Sequence, residues 1–136
     1  MKTVKAAIYL KITSDAALMA RLGNTGPFPG RLPKDSPHSR EVAAITFIGE
    51  TTVGRGRKET QTYTLRISSY SHDLGEDVAA DLDRLFHPGG VGQWMPLSVG
   101  AGQTAYIRRE FAADAPDPDS ELWQRIVRFR VHFAKA

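Results

Sequence analysis

The chain has 136 residues and no cysteine, with 18 Lys and Arg against 15 Asp and Glu, so that its formal net charge is +3. A chain of this length is expected to form one domain, residues 1–136, and the lack of cysteine excludes disulfides, thiolate catalysis and Cys-based zinc sites. Because both signs of charge are spread along the chain, the small positive excess does not indicate a nucleic-acid-binding protein.

No stretch of the sequence indicates membrane insertion or secretion. No apolar run approaches the ~20 residues that a membrane-spanning helix needs. The apolar stretch after the basic N-terminus is interrupted by Lys11 and Asp15, which is not the pattern of a secretory signal. We therefore expect a cytoplasmic protein without a membrane partner.

The N-terminal part of the chain predicts two helices and an irregular connection. Apolar residues four positions apart predict a helix over residues 2–12. These apolar residues are Val4, Ile8 and Ile12. A second helix is expected to be capped by Asp15 and to end at Gly23. Glycines and prolines then interrupt residues 24–40, which predicts an extended surface connection outside the sheet interior.

The most informative stretch runs from Gln61 to Phe86, because its apolar spacing changes from that of a strand to that of a helix. Apolar residues first alternate with polar ones, which predicts a half-buried strand. These are Tyr63, Leu65 and Ile67. Apolar residues at helical spacing follow, and Asp73 with Glu76 forms a candidate capping box for a helix over 73–86. The helical set is Leu74, Val78, Leu82, Leu85 and Phe86.

Further strands are predicted on both sides of this unit. The predicted segments are a strand over 41–50, a polar hairpin loop over 51–59, a short strand around Leu97 and Val99, a strand over 104–111 and a last strand over 123–133. The order α-α-β-β-α-β-β indicates an α+β fold of two layers. Its mostly antiparallel sheet has about four main strands and packs against helices on one face. The predicted core is Leu65, Ile67, Leu82, Phe86, Val127, Phe129 and Val131.

Residues suited to metal binding or catalysis do not form a recognisable motif. The four histidines, His38, His72, His87 and His132, contain no pair at the spacing of metal ligands on a helix. Asp114, Asp117 and Asp119 resemble a calcium loop, but the glycine and final glutamate of that motif are missing. We therefore predict a turn there, no catalytic, cofactor or metal residue, and no enzymatic activity.

The densest positive cluster is Arg55, Arg57 and Lys58, at the tip of the predicted hairpin loop. Such a cluster suits a phosphate or an acidic protein partner. Tyr63 is the one aromatic residue close to it, so a stacking platform for single-stranded nucleic acid is not indicated. We take these three residues as candidate partner contacts in a loop that is mobile until a partner binds. A solvated hairpin tip without function remains the alternative.

Four parts of the sequence resemble the tail terminator (tail completion) proteins of long-tailed bacteriophages and related prophage or gene-transfer particles. The matching parts are residues 4–23, the Pro-rich passage leading to Ala44-Ile-Thr-Phe-Ile-Gly49, the Ser-Ser-Tyr-Ser-His-Asp73 strand end with the helix from Glu76 to Phe86, and the Asp-rich turn before Trp123-Gln-Arg-Ile-Val-Arg-Phe-Arg-Val-His-Phe133. The resemblance covers nearly the whole chain and rests on element order and apolar pattern.

This resemblance implies a structural protein with no catalytic residues and no cofactor. It implies a ring, expected to be a hexamer, that caps the tail tube, ends its polymerisation and binds a head-completion or connector protein. The implied partners are other copies of the chain, the tail tube protein and that connector. Genome DNA would only pass through the ring, with no sequence-specific contact. The protein would be found in the virion, at the neck end of the tail, and in the host cytoplasm during assembly.

Three other interpretations remain open from the sequence. The chain could be another neck or head-tail joining protein of the same particle. It could be a small nucleic-acid-binding module, whose affinity would fall steeply with salt. It could also be an enzyme, which would require a deep apolar pocket with converging polar groups.

Overall fold

The computed structural model describes residues 2–30, 42–55, 58–86, 94–99, 104–114 and 122–134. Three helices and six strands are formed in this part of the chain. The helices are α1 (Lys2–Thr13), α2 (Ala16–Arg21) and α3 (His72–Phe86); the strands are β1 (Phe28–Pro29), β2 (Ala44–Arg55), β3 (Lys58–Ser69), β4 (Met95–Ser98), β5 (Thr104–Asp114) and β6 (Trp123–Ala134).

The six strands form one sheet in the order β1-β2-β3-β6-β5-β4. Every pairing is antiparallel except that of β1 with β2. The α+β class and the mostly antiparallel sheet are therefore confirmed. The expected number of about four strands fits the long strands β2, β3, β5 and β6, but the two short strands at the edges raise the number to six. Strand β1 lies in the Pro-rich connection and at the edge of the sheet. Proline is tolerated there because one side of an edge strand is unpaired.

The expected loop over residues 51–59 is wrong. Strand β2 continues to Arg55 and β3 begins at Lys58, and these two residues are register partners. Thr51, Thr52 and Val53 are β-branched, which suits a strand. In addition, β6 pairs with β3 along its whole length, from Lys58 to Ser69. The backbone that was expected to be mobile is therefore part of the strand ladder on both sides of residues 56–57.

The caps of α2 confirm the predicted boundaries of that helix. The Asp15 carboxylate accepts a hydrogen bond from the Leu18 amide at 3.0 Å. At the other end, Gly23 has a φ of +67°. The Gly23 amide donates to the Ala20 carbonyl and the Asn24 amide to the Met19 carbonyl, as in a Schellman motif. In α3 the predicted cap is wrong: the Leu74 amide donates to Ser71 Oγ at 3.3 Å, so Asp73 lies inside the first turn.

The core lies between the helices and one face of the sheet. All seven predicted core residues are buried there, and the rings of Phe86 and Phe129 pack with centroids 5.1 Å apart. Inward residues of α1, Val4, Ile8 and Ile12, join the same cluster. We call this sheet face the helix-covered face. It carries the odd-numbered residues of β3 and β6, since Tyr63 is opposite Phe129 and Leu65 opposite Val127.

Gly75 allows α3 to lie close to the start of β6. A Cβ atom at this position would overlap the six-membered ring of Trp123. The ring also packs against His72, with centroids 5.7 Å apart, and lies under the Arg125 guanidinium. The helix therefore needs glycine at this turn for close packing, not for an unusual backbone conformation.

We predict that Gly75→Ala destabilises the protein. Alanine favours a helix over glycine by about 1 kcal/mol, but overpacking typically costs about 1–3 kcal/mol, so the net loss in free energy of unfolding should reach about 2 kcal/mol at the upper end of that range. Urea unfolding measures it. In a Trp123→Leu background the same change should become neutral or stabilising. A stabilising effect in the wild-type background would contradict the packing.

Candidate assembly surfaces

The structure places the predicted contact residues at the far end of the β2–β3 hairpin. The backbones of Arg55 and Lys58 are opposite each other there. Residue Arg57 and the side chains of Arg55 and Lys58 lie outside the described part of the structure. Their role as partner contacts therefore stays a prediction.

The other candidate residues lie in different parts of the fold. His72 lies at the start of α3, 3.2 Å from Glu76, whereas His132 lies on β6 beside Trp94. Asp114 ends β5 and its carboxylate accepts from Arg125 Nε at 2.9 Å. His38, His87, Asp117 and Asp119 fall outside the described residues. Within the part of the chain that the structure describes, no three His, Asp or Glu side chains lie close enough to hold a metal ion.

The sheet face opposite the helices carries arginines and exposed aromatic rings. We call it the outer face; its described members include Arg66, Trp94, Tyr106, Arg108, Glu110, Phe111, Arg128 and Arg130. Tyr106 and Phe111 are each 45% exposed and Trp94 is 38% exposed. The Arg108 guanidinium lies 4.6 Å from the Trp94 ring centroid, and that of Arg128 lies 5.4 Å from Phe111.

The outer face has too few carboxylates for its arginines. Glu110, in the bulge of β5, forms ion pairs with both Arg128 and Arg130. Among the described residues, Arg66 and Arg108 have no carboxylate within ion-pair distance. The Nε donors of Arg66 and Arg130 are buried without a hydrogen-bond acceptor in the same part of the chain. Since buried donors are normally paired, this face is suited to binding an anionic surface.

Arginines on the helix-covered side differ, because each of them is paired with at least one carboxylate. Arg21 and Arg84 bind Asp81, which is 7% exposed. Arg109 binds Asp83 at 2.6 Å. Arg84 also binds Asp15 at 2.8 Å. Its hydrogen bond to that carboxylate is the main reason that the pKa of Asp15 lies below its ordinary value.

A bridge of the same kind ties α3 to the last strands. Arg125 binds Glu76 of α3 at 2.8 Å and Asp114 of β5 at 2.9 Å. Burial opposes the charged form of Arg125, but the hydrogen bonds that it donates to these two carboxylates outweigh burial and raise its pKa. These ion pairs hold α3 against the sheet, and in them four arginines are matched by five carboxylates.

Helix α3 also carries carboxylates that face away from the sheet. Asp73 and Asp77 are exposed and one turn apart. Neither makes an ion pair within the described ranges of the chain. Ala80 is exposed on the same side of the helix. We call Asp73, Asp77 and Ala80 the α3 stripe.

Helix α1 is apolar on its outer side as well as its inner one. Tyr9 and Leu10 are exposed, at 45% and 65%. A groove of about 380 Å³ lies beside them, lined by Lys5, Ala6, Tyr9, Pro27, Pro29 and Phe47. Apart from Lys5 this lining is apolar or aromatic, so the groove has the character of a contact surface. No helix in the described ranges has the length and apolar character to cross a membrane.

Comparison with known proteins identifies the fold but no family. No protein-family model and no curated protein matches the chain. Among solved structures, 21 chains match. One is a chain of the virion of a native gene transfer agent (GTA) particle, with a TM-score of 0.69 and 13% sequence identity. The similarity covers 96% of this chain and 93% of that chain. At this identity it shows a common fold.

Proposed function

We propose that this protein is a structural component of a phage-like particle and acts there as the tail terminator. The observation that carries the proposal is the similarity to a chain of the gene transfer agent virion over 96% of this chain and 93% of the other. The resemblance of the sequence to tail terminators favours that component over other virion proteins. Exposed apolar, aromatic and charged surfaces on separate parts of the fold support an assembly role rather than catalysis.

In this proposal the protein forms a ring, a hexamer, at the neck end of the tail. One side of the ring binds the last ring of tail tube protein and ends polymerisation. The other side binds the head-completion or connector protein, and genome DNA passes through the centre. Assembly takes place in the host cytoplasm and the protein remains in the virion. It needs no cofactor.

The β2–β3 hairpin is the proposed contact with a neighbouring ring. Strands β2 and β3 continue together to Arg55 and Lys58, so that these two positions lie at the end of a paired ladder. Arg57 lies between them in the sequence. A stiff hairpin can place positive charge at a fixed distance from the core. Acidic groups on the tube or connector protein would be its binding partners.

The test of the function is the position of the protein in purified particles. A C-terminal tag bound by a gold-labelled antibody should appear once per particle, at the junction of head and tail. Mass spectrometry should find about as many copies as one ring contains. Label on the capsid, along the tube or at the distal tip would contradict the proposal. Label at the junction together with normal tails in a deletion strain would favour another neck protein.

A further inference from the structure

We propose that the outer face of one copy binds the α3 stripe of the next copy, so that the ring is built head to tail from two different surfaces. This inference rests on the proposed ring and assigns the contacts within it. It follows from charge, exposure and the position of the two surfaces in the fold.

The outer face needs an anionic partner to complete its interactions. Arg128 and Arg130 both pair with Glu110, whereas Arg66 and Arg108 have no carboxylate within ion-pair distance among the described residues. Arg108 and Arg130 are direct register partners, and like charges opposite each other in a sheet are unfavourable. The buried Nε donors of Arg66 and Arg130 also have no acceptor among the described residues. A carboxylate from a partner surface would reduce the repulsion between Arg108 and Arg130.

The α3 stripe offers such carboxylates. The other acidic residues of this helix are bound by arginines of the same chain: Glu76 by Arg125, Asp81 by Arg21 and Arg84, and Asp83 by Arg109. Asp73 and Asp77 are exposed instead and make no ion pair within the described ranges. The chain therefore carries an unmatched positive surface and an unmatched negative one.

The shape and composition of the two surfaces also fit each other. Exposed Trp94, Tyr106 and Phe111 lie among the arginines, and Trp, Tyr and Arg are the residues that dominate the energy of protein interfaces. Ala80 leaves the C-terminal end of the α3 stripe without a long side chain. An aromatic ring of the next copy can therefore approach the helix closely there.

Their position in the fold determines the kind of assembly. Helix α3 packs on the helix-covered face of the sheet, so the stripe and the outer face are on opposite sides of the molecule. A contact between two different surfaces is heterologous and gives a ring when the rotation closes. Two outer faces cannot pair in the same way, because their arginines would repel each other.

Cross-linking through introduced cysteines tests the contact, since the natural chain has none. Thr64→Cys places a thiol on the outer face and Ala80→Cys places one on the α3 stripe. Particles that carry the double variant are treated with a short bis-maleimide and analysed under denaturing conditions. We expect a ladder that extends beyond the dimer, up to the full ring. Each single variant should stay monomeric under the same treatment.

Other results of this experiment overturn the proposal in distinct ways. Dimers from Thr64→Cys alone would mean that outer faces meet each other, and dimers from Ala80→Cys alone would mean the same for α3. If the particles contain the protein but yield only monomers, the contact between the outer face and the α3 stripe is excluded. The proposed ring itself is not excluded by that result. Particles without any of the protein would contradict the proposed function itself.

Charge exchange distinguishes a second copy of the chain from DNA as the binding partner of the outer face. Arg108→Glu and Asp77→Arg, each added to the double-cysteine chain, should lower the cross-linked yield at least tenfold. Together in one chain they should restore it at least in part, because the signs are exchanged on both surfaces. Equal yields from all variants would overturn the proposal. So would weaker binding of a double-stranded DNA fragment by Arg108→Glu with an unchanged ladder.

Discussion

Phe129→Ala should lower the free energy of unfolding by about 3–5 kcal/mol, the range found for phenylalanine in protein cores. Phe129 is fully buried in the middle of β6, between Tyr63 on β3 and Arg109 on β5. Its ring packs on Phe86 of α3 with centroids 5.1 Å apart. Truncation would leave a cavity where sheet and helix meet, and the paired strands β3, β6 and β5 and helix α3 cannot easily collapse to fill it.

Phe111→Ala is the matched control for this prediction. Phe111 is the same residue type on the neighbouring strand, but it lies on the outer face, is 45% exposed and contacts the Arg128 guanidinium. Removal of its ring should lower the free energy of unfolding by less than about 1 kcal/mol. Urea unfolding followed by circular dichroism, at concentrations where the chain is monomeric, measures both variants. Similar losses in free energy of unfolding for Phe129→Ala and Phe111→Ala would show that the core is not where the structure places it.

Local patterns predicted which side chains face inward, because strand and helix periods depend on neighbouring residues only. Val127, Phe129 and Val131 were predicted inside, and Arg128, Arg130 and His132 outside, and all six are placed so. The same holds for Leu82 and Phe86 of α3. A period of two assigns every residue of a strand once one residue has been assigned.

Features that depend on which strands are neighbours could not be predicted in this way. The order β3-β6-β5 brings Arg66, Arg108 and Arg128 to one face, although they lie on three strands far apart in the sequence. Only the register shows that Arg108 and Arg130 are opposite each other. The need for glycine at position 75 could not be predicted either. It is explained only by the close approach of Trp123, which lies far from Gly75 in the sequence.

The length of the β2–β3 hairpin was underestimated for a related reason. The polar and glycine-containing residues of this segment predict a loop, whereas pairing with β6 extends the strand ladder to Lys58. A strand with partners on both sides keeps its hydrogen bonds even where its side chains are polar. Predicting this requires the position of β6 next to β3, which the local sequence does not contain.

Deletion of the gene should produce tails of uncontrolled length that fail to join heads. A tail tube grows by adding rings to an open end, so growth stops only when another protein binds that end more favourably than the next tube ring does. A terminator must also present no surface to which tube protein can bind. Without it the end stays open and the connector has nothing to bind. The number of infective or gene-transferring particles should fall by orders of magnitude, while heads form normally.

Complementation of the deletion strain then tests the hairpin separately from the protein as a whole. The wild-type chain should restore tails of uniform length. A variant with Arg55, Arg57 and Lys58 all changed to glutamine should keep its stability within about half a kcal/mol per site, as surface substitutions usually do, yet give fewer joined particles. Its deficit relative to the wild-type chain should shrink at higher salt, because salt screens the charge pairs that only the wild-type hairpin makes. Electron microscopy of tail lengths and counts of joined particles measure both effects. Uniform tails and full activity in the deletion strain would rule out a terminator, whereas full activity of the triple variant alone would remove only the contact assigned to the hairpin.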